Sequence, residues 1–389
     1  MKCIQCNADN DLRDRTRNQG RCCKCKHPFA FEPTSMKAKL RFTDGFFAKA
    51  LADISANGTL YFTRRQLLYL LEKRLLRKAR FIPVGCLSIL LLPAWFGGFI
   101  ILVSFVGIPM WAGFIYHILF IIFCIHSLEQ GLVRFNQRFV RLKKINKRIL
   151  ITDAMLDIWL KRWELSNGSP ARLLSPPSAP ASLAPANIVN DITAYSFDRV
   201  LVCDSVAIAQ LLIANNIHFE HNCAVLSIGG YPQAIFATTI AMLRRNPDLQ
   251  VIALHDCSPS GVALINQLRT SPDWYLDSTQ VIFDLGMLPR QIAAARGQAY
   301  IQVSADSAQN AREMPPEVSK QLTTTELEWL KAGYFVDLES FTPKKLMQIV
   351  SYGIAKLQNL GEDVDENLIL VGDLGGGNST FIYASDNFG

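Results

Sequence analysis

From Phe81 to Leu128 the sequence contains no Lys, Arg, Asp or Glu. An uncharged run of this length weighs against a helical pair buried in an ordinary core, and it exceeds the roughly 20 apolar residues of one membrane crossing. Gly107-Ile108-Pro109 offers a turn near its middle, so the pattern predicts two spans, Val84 to Val106 and Met110 to Ser127. The N-terminus lacks a hydrophobic leader, since Met1 to Gly20 is polar, and this argues against a cleavable signal peptide. The ten Cys make no disulfide framework; they fall into one cluster and scattered singles, as in a reducing compartment. Ser166 to Asn187 is poor in large apolar residues and rich in Ser, Ala and Pro, which predicts a flexible tether. The C-terminal part lacks an excess of positive charge: residues 166–389 carry net −9, against +11 for residues 1–80 and +5 for residues 129–165. An acidic domain is poorly suited to DNA unless a metal or a basic patch intervenes.

The basic charge lies beside the apolar run. Arg77, Lys78 and Arg80 precede it and Arg134, Arg138, Arg141, Lys143 and Lys144 follow it, which by the positive-inside tendency places both flanks and both termini in the cytoplasm. The expected location is therefore the cytoplasmic membrane, multi-pass, with the membrane itself as a partner. Leu132 to Leu150 has an apolar stripe of Phe135, Phe139, Leu142, Ile145 and Ile149 among basic residues, a pattern suited to a membrane surface.

At the N-terminus, Cys3-Ile-Gln-Cys6 and Cys22-Cys23-Lys-Cys25 supply two Cys-x-x-Cys knuckles. Cys3, Cys6, Cys22 and Cys25 are the thiolates that a tetrahedral structural zinc requires in a segment too short to bury its own core. Cys23 is an extra thiol and His27 an alternative ligand. Thr43 to Ala56 has helical spacing, and Thr63 can cap a second helix, Arg64 to Lys78, with Leu67, Leu68, Leu71 and Leu75 facing inward. A helix, a turn and a basic helix suit a winged-helix-like DNA-binding unit. Tyr69 projects from the charged side of that second helix, between Arg65 and Lys73, and the helix mechanics alone favour an interfacial tyrosine on a helix about to enter the membrane. Ala154 to Leu165 predicts one more helix, containing Trp159 and Trp163.

From Asp198 onward strands alternate with helices: Val200 to Val202, Ala224 to Ile228, Val251 to Leu254 and Gln280 to Phe283 read as strands of a parallel sheet whose reactive groups lie at the strand C-termini. Those ends read Cys203-Asp204, Gly229-Gly230-Tyr231-Pro232 and His255-Asp256-Cys257-Ser258-Pro259-Ser260-Gly261. In that order, and with Asp284-Leu-Gly-Met-Leu-Pro289 and Leu338-Glu-Ser-Phe-Thr-Pro343, residues 198–350 resemble the Toprim domain of the topoisomerase VI A subunit and its relatives that make meiotic double-strand breaks. Arg65-Gln-Leu-Leu-Tyr69 is similar to that family's Arg-Asp-Ile-Tyr-Tyr, whose last tyrosine attacks DNA. The resemblance implies Tyr69 as nucleophile and magnesium held by a strand-end Glu and an Asp-x-Asp. Here those three positions hold Cys203, Asp256 and Ser258, so one carboxylate remains, with Asp204 one residue away on the opposite strand face.

These readings predict a multidomain membrane protein: a zinc ribbon over residues 1–34, a winged-helix-like segment over 35–80, a transmembrane hairpin over 81–128, a basic amphipathic helix over 129–165, a linker over 166–188, a Toprim-like α/β domain over 189–360 and a Gly-rich tail over 361–389. The favoured function is a Toprim-like module, catalytically degenerate, that binds nucleic acid or a protein partner. One alternative is a metal-dependent DNA-cleaving enzyme with Tyr69 and Asp256 catalytic and Asp204 with Asp256 at a degenerate magnesium site. The other is a scaffold. DNA, a second copy of the chain and a protein partner are the candidate partners besides the membrane. Cys203, His255 and Cys257, or His218, His221 and Cys223, would be softer metal sites.

Overall fold

The structure, a computed structural model, describes residues 1–37, 40–78, 151–176, 197–246, 248–274, 280–294, 300–359, 368–372 and 380–384. All of these but residues 76–78 belong to one compact unit, formed by Met1–Leu75 and Lys147–Gly389.

Four helices and an aromatic core organise its N-terminal part. The short α1 (Leu12–Arg17) lies between the two cysteine knuckles, and α2 (Asp44–Ile54) begins where the Thr43 side chain accepts from the Phe46 N–H. The next helix, α3 (Arg64–Lys78), opens with a reciprocal cap: the Gln66 N–H donates to Thr63 Oγ1 and the Thr63 N–H to Gln66 Oε1, which satisfies two donors that a helix start leaves unpaired. The next described helix, α4 (Asp153–Asn167), starts on its Thr152 cap. Phe31, Phe42, Phe47, Leu67, Leu71, Trp159 and Trp163 pack together as the core of these elements. Phe31 is fully enclosed, with its ring centroid 4.7 Å from that of Phe42 and 5.0 Å from that of Phe47; each such aromatic pair adds about 0.5–1.5 kcal/mol beyond area burial. Buried Asp44 accepts from the backbone N–H groups of Ala30 and Phe31 and so ties the segment after the knuckles to the start of α2.

The C-terminal part is built on a four-stranded parallel sheet, with strands β1 (Arg199–Cys203), β2 (Cys223–Ser227), β3 (Gln250–Leu254) and β4 (Ile282–Asp284) in the order β2-β1-β3-β4. Helices α5 (Val206–Ala214) and α6 (Gln233–Arg245) follow the first two strands. Side-chain alternation sends Leu201, Cys203, Ile252 and Leu254 into one core and Val200, Val202, Val251 and Ala253 into another on the opposite face. Because both faces are covered, the strands are apolar throughout. The long helix α7 (Pro343–Asn359) lays Leu346, Ile349, Val350 and Ile354 on the first of these cores. A two-stranded antiparallel pair, β5 (Gln302–Val303) and β6 (Tyr334–Phe335), flanks the sheet.

The two parts are joined directly. The Asn215 side chain exchanges hydrogen bonds with the Tyr61 backbone, Gln66 Nε2 donates to the Phe341 carbonyl and Thr63 Oγ1 donates to Glu339. The first residues of the expected tether are also engaged: the Phe62 N–H donates to the Arg172 carbonyl and the Leu174 N–H to the Phe62 carbonyl.

The fold class is therefore corrected. No helix among the described residues is long and apolar enough to cross a membrane, and what they form is an α/β fold around a parallel sheet. Helix α7, with 17 residues, rises about 25 Å where a bilayer core needs about 30 Å, and its apolar side is spent on the protein's own core. The expectations of a membrane protein, of membrane partnership through two spans and of a multi-pass location in the cytoplasmic membrane are withdrawn on this finding. The run 81–128 on which they rested, and the basic helix expected over Leu132 to Leu150, lie outside the described residues.

Candidate functional sites

The cysteine cluster comes from two copies of one turn. In each, the N–H of the residue after the second cysteine donates to the carbonyl of the first, Asn7 to Cys3 and Lys26 to Cys22, and the first cysteine's N–H donates to the carbonyl two residues past the second, Cys3 to Ala8 and Cys22 to His27. Asn7 and Lys26 both take positive φ, 57° and 60°, which turns the backbone so that both thiols of each knuckle point to one spot. The Sγ atoms of Cys3, Cys6, Cys22 and Cys25 all lie within 4.8 Å of one another. Cys3 and Cys25 are 3.6 Å apart, as are Cys6 and Cys22, close to the edge of about 3.8 Å of a tetrahedron with metal–sulfur bonds of about 2.3 Å. These four residues can hold a metal ion.

The sulfur of Cys22 is prepared for that role. Burial raises its pKa, but the backbone N–H groups of Cys25 and Lys24 and the Asn10 amide outweigh burial and bring it down to about 6, favouring the thiolate that metals bind. Enclosed Asn10 donates from Nδ2 to this sulfur at 3.5 Å and to the Ala8 carbonyl, and its Oδ1 accepts from the Cys23 N–H. Cys23 is exposed and outside the cluster, and His27 Nε2 pairs with Asn167.

A second group of polar residues collects at the C-terminal edge of the sheet. The strand order reverses between β1 and β3, and in open α/β sheets ligands bind outside the strand ends at such a switch point. Asp204 and Asp256 flank it. Cys203 faces the core, and Asp204 lies just past the last residue paired with β3, its Oδ2 accepting from the Asp256 N–H at 2.6 Å. The Asp204 carboxylate thus meets the Asp256 backbone with an unbroken strand register. Both are half-buried. Burial and the charge of Asp204 push Asp256 up to about 8; burial, offset by the Asp256 N–H and His255, leaves Asp204 raised to about 6. Ser258, where the resembled family has its second Asp, instead caps a short helix by accepting from the Gly261 N–H. Gly261 is required here, since a Cβ would lie 2.3 Å from Asp256 Oδ1.

His255 stands behind this pair, 1% exposed. Its Nδ1 is 2.7 Å from the Asp256 carbonyl and its Nε2 3.0 Å from Asp284 Oδ1. Burial alone would lower its pKa, but Asp284 lifts it to about 9. With an acceptor on each nitrogen, the ring carries both protons as a buried imidazolium.

Tyr69 reaches the same edge from α3. It is 4% exposed, its ring is tilted against Tyr300 with centroids 4.8 Å apart, and its hydroxyl donates to Asp337 Oδ2. Gln302 Nε2 donates to the Tyr69 oxygen at 2.7 Å and to Asp337 Oδ2 at 2.9 Å, and Arg65 Nη2 lies 3.3 Å from the same carboxylate oxygen. Burial and the Asp337 charge raise the phenol far above its ordinary value, while Arg65 pulls it down. The negative charge of Asp337 also acts on Asp204 and Asp256. A cavity of about 240 Å³ lined by Arg65, Leu68, Tyr69, Ile151, Thr152 and Asp153 opens against the tyrosine.

Sequence reasoning missed Asp337 and Gln302; the nearest signal was the Leu338 to Pro343 motif that follows Asp337. The softer metal sites do not form. Among the described residues the four cysteines are the one cluster of three or more ligands; Cys203 and Cys257 are core residues, His221 pairs with Ser351 and Cys223 with the Ile217 carbonyl. Comparison with models of known protein families gives no match, and a search of curated proteins gives no significant relative.

Proposed function

We propose that the sheet edge cleaves phosphodiester bonds in nucleic acid, as a relative of the Toprim domain of the topoisomerase VI A subunit, with Tyr69 as the nucleophile and Asp204 and Asp256 as the residues that would hold a divalent cation. The observation that carries this reading is the Tyr69 hydroxyl on Asp337, a contact between residues 268 positions apart that places the only tyrosine of the Arg-x-x-x-Tyr motif beside the strand ends. Two neighbouring carboxylates, with burial and the charge of Asp204 raising the pKa of Asp256, suit magnesium, which is bound through one or two carboxylates and keeps several waters. Such a cation, when bound, would offset charge developing on the phosphate oxygens. Arg65 and the His255 imidazolium supply fixed positive charge to an otherwise acidic edge. In the cysteine cluster we assign zinc, in a structural role, on the strength of four thiolates and no open position.

A binding module that does not cut has one observation in its favour, the burial of Tyr69, because a substrate must displace some of its cover. The deciding experiment is a cleavage assay on supercoiled plasmid in magnesium and in manganese with the full chain, Tyr69→Phe and Asp256→Ala. Nicking or linearisation lost in both variants is the expected result. No cleavage by the folded, zinc-loaded wild type returns the site to the binding reading.

A further inference from the structure

We infer that Asp337 is the base that takes the proton of Tyr69, so that nucleophile and base belong to one chain; the inference rests on the cleavage reading above. A buried phenol with its pKa raised keeps its proton at any working pH, and a nucleophile in that state needs a proton acceptor within hydrogen-bond reach. Asp337 Oδ2 is that acceptor. Its geometry is fixed from two further sides: Gln302 bridges the phenol oxygen and Oδ2 with a single amide nitrogen, and the Arg65 guanidinium lies 3.3 Å from Oδ2. Asp337 is 7% exposed, so water competes little for it.

The step balances within the site. The Tyr69 O–H bond breaks as its proton passes to Asp337 Oδ2, the phenol oxygen forms a bond to phosphorus, and the bond from phosphorus to the leaving sugar oxygen breaks. The leaving oxygen takes a proton from solvent, and Asp337 later returns one to solvent. One phosphodiester becomes a tyrosyl phosphodiester and a free sugar hydroxyl. Gln302 and Arg65 are positioning residues in this scheme.

The test follows covalent adduct formation between the full chain and a uniformly labelled duplex under single-turnover conditions, with duplex affinity measured separately. Asp337→Asn keeps an acceptor for the phenol but no base, and is expected to slow adduct formation about 10²- to 10⁴-fold with affinity unchanged. Asp337→Glu retains a carboxylate and part of the rate. Asp337→Gly leaves a gap that added formate fills, and the rate recovers in proportion to formate, a response that a purely structural role would not give. Wild-type adduct rates in Asp337→Asn, or slowed variants that lose affinity and ignore formate, overturn the base while leaving Tyr69 the nucleophile. Absence of an adduct with the wild type, or an adduct formed by Tyr69→Phe, overturns both readings.

Discussion

The cysteine cluster takes its ligands from partners at most 22 positions apart, whereas Tyr69, Gln302 and Asp337 meet across 233 and 268 positions. In the first, two repeated turns set the geometry and nothing beyond residue 27 contributes a ligand. The second exists only when α3, the ends of β1 and β3 and the β5/β6 pair are all in place. A local site depends on its ion; a convergent one depends on the packing behind it. The two should therefore fail for different reasons.

Loading the cysteines with zinc and then removing it should give the largest separation. Structural zinc contributes about 10 kcal/mol or more to folding small sites, so a chelator should abolish hydrogen-exchange protection at Cys3, Asn7, Cys22 and Lys26 while the amides of β1 and β3 keep theirs. Equal loss in both regions would show them to be one cooperative unit. Gly286→Ala aims at the other site alone: a Cβ there would lie 2.1 Å from the His255 ring, and the displacement of a buried, doubly bonded imidazole should cost about 1–3 kcal/mol of stability without changing the metal content of the cysteines. A neutral effect on denaturant unfolding would mean that His255 is not held as described.

The smallest effect expected is on pH. The Asp256 pKa is raised to about 8 in the fold against about 3.9 in an unfolded chain, so between these values the native state binds more protons and this group's contribution to stability falls as pH rises. With divalent cations removed, Asp256→Asn should gain progressively on the wild type in Tm as pH rises from about 4 to about 8, with the gap closing below pH 4. A difference that is flat with pH would place the Asp256 carboxyl in a less burdened environment.

What could be read in advance follows the same division. Turn chemistry fixes the spacing of a Cys-x-x-Cys knuckle, so the grouping of Cys3, Cys6, Cys22 and Cys25 could be written from the sequence, while the places of Cys23 and His27 outside it come from the structure. Apolar runs bounded by turns placed the four strands within about two residues of Arg199–Cys203, Cys223–Ser227, Gln250–Leu254 and Ile282–Asp284. Tyr69 was marked by a motif, but its partners were not: Gln302 and Asp337 sit at strands of two residues, too short to leave a period. Alternation governs side chains within a paired strand, and Asp204 stands just outside one, so its contact with Asp256 could not be read from strand period. The membrane expectation came from composition in a stretch that the described fold does not include.

The reach between Tyr69 and Asp337 also has a consequence for biosynthesis. A growing chain displays α3 long before the ribosome has made residue 337, and contacts of such separation close late because the intervening chain must first lose its freedom. A partly synthesised or truncated molecule thus holds a tyrosine without its carboxylate partner. The Tyr69–Asp337 pair is completed only in a chain that has been made and folded past residue 337.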